Sequence, residues 1–108
     1  MSEFCDSNIS IVEDVYIKQM VFRKRGWIAR THTHRYDHQT LVATGSLAVT
    51  VNGNISIVVA PSILLIKAGQ VHQFEALEDN SVAYCIHRLN EGEDLVDDIP
   101  NHALKGML

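Results

Sequence analysis

From Val15 to Leu89 the chain alternates apolar and polar positions in short runs, each closed by a turn residue. A period of two marks a strand with one buried face. The runs are "VYIKQMVFRK" (15–24), "WIARTHTH" (27–34), "QTLVAT" (39–44), "SLAVTV" (46–51), "ISIVVA" (55–60), "SILLIK" (62–67), "VHQFEAL" (71–77) and "VAYCIHRL" (82–89). They are rich in β-branched and aromatic residues, which suit a pleated, half-buried surface. The breaks are equally readable. Gly26 and Gly45 punctuate. Asn52-Gly53 between two apolar runs is the strongest short hairpin signal. Pro61 cannot donate to a ladder and closes the strand before it. Ala68-Gly69 and "EDNS" (78–81) are further turns. About eight short strands at this spacing predict an antiparallel sandwich or barrel over residues 15–89. The start, with Cys5, is expected to be mobile. Residues 90–108, "NEGEDLVDDIPNHALKGML", read as an acidic, then apolar tail that either forms a short helix at 93–98, stopped before Pro100, or packs loosely along an edge.

Composition narrows the function classes. A length of 108 residues suits a single domain. Hydrophobic and charged fractions of 46% and 20% are those of an ordinary globular protein. A formal net charge of -4 argues against a general grip on nucleic acid or an anionic membrane. The one basic run, Arg23-Lys24-Arg25, reads as a solvated strand end. No apolar stretch is long enough to span a bilayer as a helix. The polar, acidic start "MSEFCDSNIS" predicts no secretory leader, and the two cysteines, Cys5 and Cys85, are expected as free thiols. A cytoplasmic location follows as the expectation.

The chemistry concentrates in "GWIARTHTHRYDHQTLVATG" (26–45), which holds three of the six histidines. Strand alternation places Ile28, Arg30, His32 and His34 on one face. His38 follows after a turn through "RYD", at the start of the next run. His72 stands at another strand start, just after the Ala68-Gly69 turn. A fold that pairs these strands gathers four imidazoles, the commonest protein ligands for first-row transition metals. The bland alternative is a set of exposed polar residues, since His-x-His alone arises by chance alternation. A third histidine at a fixed offset and a fourth after a glycine turn favour metal binding.

At these residues the sequence resembles the cupin family. Its first motif is a glycine, five residues, His-x-His, three or four residues, an acid, six residues and a glycine. Here these places are taken by Gly26, His32, His34, His38 and Gly45, every spacing matching. Its second motif is Pro-x-Gly, two residues, a histidine and, after three more, an asparagine. Here it reads Lys67-Ala68-Gly69, then His72, with Ala76 in the asparagine's place. The departures are His38 for the usual glutamate, Lys67 for the proline and Ala76 for the asparagine. The resemblance implies an all-β, cupin-type antiparallel β-barrel (a double-stranded β-helix or jelly roll) with one metal ion held inside by His32, His34, His38 and His72. It further implies a homodimer, as small single-domain members often pair through sheet edges.

Replacing a glutamate by His38 changes the electrostatics. Three imidazoles and one carboxylate leave a divalent centre at a net charge of about +1, four neutral imidazoles at about +2. Such a centre is a stronger Lewis acid and favours anionic oxygen ligands. An all-imidazole set suits zinc, nickel, copper or iron and disfavours magnesium and calcium. An octahedral ion would keep two positions for a ligand; a closed tetrahedral one would be structural.

Around this centre, alternation puts Ala83, Cys85 and His87 on one face, making His87 a candidate acid–base residue or a core histidine. Arg30 and Tyr36 are candidates for contacting a substrate. Asp37 either orients an imidazole or braces a turn, the second being commoner for aspartate. Gln73 and Glu75 are expected to face out, and His102 is assigned no role. Trp27, Phe22, Phe74, Tyr16 and Tyr84 read as packing residues. The resulting expectation is a metal-dependent enzyme acting on a small enolisable or carboxylate-bearing molecule, as a dioxygenase, isomerase or cyclase. The alternatives are a non-catalytic metal or small-molecule binder and a barrel with a purely structural metal.

Overall fold

The computed structural model describes residues 3–32 and 35–89, with 30–32 described by their backbone alone. Nine strands follow one another: β1 (Asp6–Val12), β2 (Val15–Phe22), β3 (Ile28–His32), β4 (His38–Thr44), β5 (Ser46–Val51), β6 (Asn54–Val59), β7 (Ser62–Ile66), β8 (His72–Ala76) and β9 (Ser81–Arg88). They form two antiparallel sheets, one of five strands in the order β1-β2-β9-β4-β7 and one of four in the order β3-β8-β5-β6. The two sheets face one another as a flattened barrel without one continuous ladder around it. Among the described residues no helix is long and apolar enough to cross a membrane. The expected helix at 93–98 lies outside the described residues.

Turn chemistry sets the register. Asn52 and Gly53 both have left-handed φ values, 48° and 83°, as the tight hairpin between β5 and β6 requires. Gly45, at φ 76°, links β4 to β5 where the backbone presses on β9. A side chain there would place its Cβ 2.8 Å from Ser81 Cβ and 2.9 Å from Ser81 Cα. The closeness lets Ser81 Oγ receive the Ser46 N–H at 3.3 Å and donate to the Glu78 carbonyl at 3.0 Å, joining the two sheets at that end.

β1 corrects the reading of the start. Residues before 15 are not a loose leader to the fold: Asp6 to Val12 pair with β2 from Val21 down to Val15. Cys5 donates its N–H to Ile28 O at 2.8 Å, and Ile28 donates to Glu3 O at 2.8 Å. Asp6 also pairs with Arg23. Both cysteines are free thiols, and burial pushes the Cys5 thiol up.

The inward face of the five-stranded sheet is read from its register. Met20 stands beside Ala83, and Ala83 beside Val42. On the facing sheet Leu47 pairs with Ala76 and Val49 with Phe74. With Phe22 and Ala29 these residues form one buried apolar cluster. Towards the other end of the same strands the inward positions become polar: Lys18, Cys85 and Thr40 in one row, then Tyr16 and His87. His38 opens β4 and His72 opens β8 at that same end. The outer faces of β6 and β7 carry exposed apolar residues, among them Ile57 and Ile63, both 70% exposed.

Candidate metal centre at one end of the sandwich

His38 and His72 come from different sheets and meet between them. They are 3% and 2% exposed, with ring centroids 5.2 Å apart. That separation admits a shared ion, whose metal–nitrogen distances are about 2.1 Å. His38 holds its place because β4 begins there, opposite Ile66 of β7. His72 lies between Val51 of β5 on one side and His32 of β3 on the other.

The pairing of His32 with His72 depends on a bulge. Ile28 pairs with Glu75 and Ala29 with Phe74, and an even ladder would then set Thr31 opposite His72. A register shift between Ala29 and His32 brings His32 there instead. This corrects the strict alternation read from the sequence, which put Ile28 and His32 in one phase. Ile28 shares its row with exposed Glu75, whereas His32 shares its row with buried His72. Bulges re-aim residues in this way beside functional sites. His34, and the side chains of Arg30 and His32, lie outside the described residues. Among the described residues no group of three histidine, cysteine, aspartate or glutamate side chains converges on one point.

The loop leading into His72 is held on three sides. Ala68 N–H donates to Asp37 Oδ1 at 2.7 Å, tying the Ala68-Gly69 turn to the bend before His38. Lys67 N–H donates to Gln70 Oε1 at 2.8 Å. Val71 N–H donates to Asn52 Oδ1 at 2.9 Å while Asn52 N–H donates to Val71 O at 2.8 Å. Asp37 therefore braces a turn; the imidazole-orienting role is taken by a carbonyl. His72 Nδ1 lies 3.2 Å from Gln70 O. A carbonyl only accepts, so this contact assigns the proton to Nδ1 and leaves Nε2 with a lone pair. A ligand histidine is fixed in this manner. Burial holds the His72 pKa below its ordinary value, the Gln70 carbonyl opposes that, and repulsion from the Lys18 ammonium adds to it. The neutral ring is the form that binds a metal.

The donor chemistry present therefore fits a transition metal. Tyr36 and His87 join the pair in a continuous run of rings. Tyr16 lies 4.5 Å from His87, Tyr36 stacks on the same imidazole at 4.0 Å, and Tyr36 sits edge-on to His38 at 6.5 Å. Phe74 closes the run, 5.6 Å from His72. His87 is 7% exposed, on the inward face with Ala83 and Cys85, as alternation predicts. Gln73 is half-buried and Glu75 exposed, on the opposite face from His72 and Phe74.

Lys18 was not singled out in the sequence. The signal was present: it falls between Tyr16 and Met20, in the phase of the buried face. A lysine in a run named by its apolar residues is easily taken for a polar interruption.

Two facing antiparallel sheets with this connectivity define the class of the fold: the double-stranded β-helix, or jelly roll, of cupins. KdgF from Halomonas sp. superposes with a TM-score of 0.68 at 20% identity over 76% of each chain. A cupin superfamily protein from Desulfitobacterium hafniense superposes with a TM-score of 0.70 at 15% identity, over 83% of this chain and 82% of that one. An RmlC-like cupin from Methanocaldococcus jannaschii gives 0.70 at 10% identity, over 82% and 83%. No protein-family model and no curated protein matches the chain. At these identities the structural likeness carries the fold.

Proposed function

We propose that this cupin-fold chain binds one divalent transition metal, zinc, nickel, iron or copper, through His32, His34, His38 and His72, and acts on a small enolisable or carboxylate-bearing molecule. The observation that carries the reading is the meeting of His38 and His72, both buried, one from each sheet. The ion would supply Lewis acidity, stabilising negative charge that develops on a ligand oxygen. His87 supports an enzyme over a passive binder, because it is buried at the same end. Tyr16 and Tyr36 pack on its ring, 4.5 and 4.0 Å away between centroids. Tyr36 lies between the two imidazoles, stacked on His87 and edge-on to His38.

Metal analysis of the purified chain tests this reading. One equivalent of metal per chain is expected, with a marked loss of affinity in His38→Gln and in His72→Gln. A chain that binds no transition metal, or variants that bind it unchanged, would refute it. Chelation separates function from scaffolding. The metal-free chain is expected to keep its near-ultraviolet spectrum and most of its melting temperature, whereas a structural ion predicts collapse of both.

A further inference from the structure

Lys18 is the one interior position in β2 that carries a charge. Its neighbours two residues away, Tyr16 and Met20, are buried, and Lys18 itself is half-buried. The register sets it beside Cys85, and Cys85 beside Thr40. Thr40 is fully buried, with Oγ1 3.6 Å from Cys85 Sγ. This polar row crosses the five-stranded sheet one step below Tyr16 and His87, a distance of about 7 Å along the strand. A four-carbon stem spans such a step.

Among the described residues the charge of Lys18 has no carboxylate to meet it. Among the described residues, Asp14 pairs with Arg88 and Asp6 with Arg23, while Glu3, Glu13, Asp37, Glu75, Glu78 and Asp79 are exposed. The other charged side chains described are also exposed, apart from the paired Asp6. An ammonium drawn partly out of water without a counter-ion is costly.

We infer that Lys18, flanked by the Cys85–Thr40 row, is the anchor for a carboxylate group of the ligand, holding it between the five-stranded sheet and the His38–His72 pair. The ammonium supplies a charge-assisted hydrogen bond, and the imidazole side chains bring no competing carboxylate. The inference rests on the proposed function for its choice of ligand, and it commits that function to the carboxylate-bearing class.

The test uses pyruvate, which is both a carboxylate and enolisable, and pyruvamide, its neutral counterpart. Both are titrated by chemical-shift perturbation into the full chain, metal-free and zinc-loaded, in wild type, Lys18→Gln, Lys18→Met and Lys18→Arg. Pyruvate is expected to bind metal-free wild type, to weaken about tenfold or more in Lys18→Gln and Lys18→Met, and to be largely retained in Lys18→Arg. Pyruvamide is expected to bind as weakly to wild type as pyruvate does to Lys18→Gln. Zinc stoichiometry, measured on the same samples, should be equal in all four proteins. Equal affinity of wild type and Lys18→Gln for pyruvate overturns the inference, as does equal binding of pyruvate and pyruvamide, or no binding of pyruvate to wild type. If no zinc binds while pyruvate binding still follows Lys18, the metal reading falls and the carboxylate anchor stands. Lys18→Met guards against a folding artefact, since it keeps the apolar stem that lines the sheet.

Discussion

The two ends of the sandwich are built on the same strands and differ in what those strands send inward. At the Gly45 end, β2, β9 and β4 contribute Met20, Ala83 and Val42 against Leu47 and Ala76. At the other end the same strands contribute Tyr16, His87 and His38 against His72. The apolar end is packed by dispersion and the hydrophobic effect and closed between the sheets by Ser81. The polar end is held by directed bonds, Asp37 to Ala68 and Asn52 to Val71. The first end carries the stability that lets the second keep a set of buried nitrogens in place.

If that division is right, mutations at the two ends will separate stability from binding. The largest effect is expected at Phe22, fully buried in the apolar cluster. Phe22→Ala should lose about 3–5 kcal/mol in urea denaturation, whereas metal-free His72→Gln should lose about 1–2 kcal/mol. Equal losses would break the comparison. Next comes Gly45→Ala. Its Cβ would meet Ser81 in a left-handed backbone conformation, at a cost of about 2–4 kcal/mol with metal affinity unchanged in the surviving folded fraction.

Smaller effects sharpen the contrast from the other side. Asp37→Ala removes the acceptor for Ala68 N–H. It should cost about 1 kcal/mol of stability but about tenfold or more in metal affinity, the reverse weighting from Gly45→Ala. Titration compared by calorimetry with denaturation would show whether the two readouts diverge. The mildest expected effect is on pH. The folded pKa of His72 lies below its ordinary value of 6.5, so between the two the unfolded chain binds more protons. The metal-free protein should therefore lose stability as pH falls from about 6.5 through the lowered value, and His72→Gln should flatten that slope. A wild-type slope no steeper than the variant's would remove the assigned cause.

The strands from β2 to β9 were legible because their alternation and turn residues agree. Asn52-Gly53 announced its hairpin, and both residues take the left-handed φ that the sequence demands. β1 was not legible for the complementary reason. It is an edge strand with only partly buried positions, so its alternation is weak. Its turn to β2, Val12-Glu13-Asp14-Val15, contains neither glycine nor asparagine, yet Glu13 adopts φ 55°. The ring pair was half-legible: motif spacing named His38 and His72, but only the facing of two sheets brings them together. Lys18 was hidden by its own polarity, and the role of Asp37 by the distance in sequence to Ala68. The bulge in β3 left no mark, because a period of two cannot announce where it will be interrupted.

That interruption gives the five-residue interval between Gly26 and His32 a meaning that counting alone does not. Trp27 and Ala76 bond at one end of the β3–β8 pair, and His32 pairs with His72 in register at the other. One strand spends five steps where its partner spends four. A chain shortened by one residue in this stretch would have a smoother ladder and a motif out of step with its partner. A chain lengthened by one would slip the other way. The irregular strand is thus the tolerance gauge of the site, and insertions or deletions between Ala29 and His32 should be harder for this protein to absorb than any substitution at Ile28.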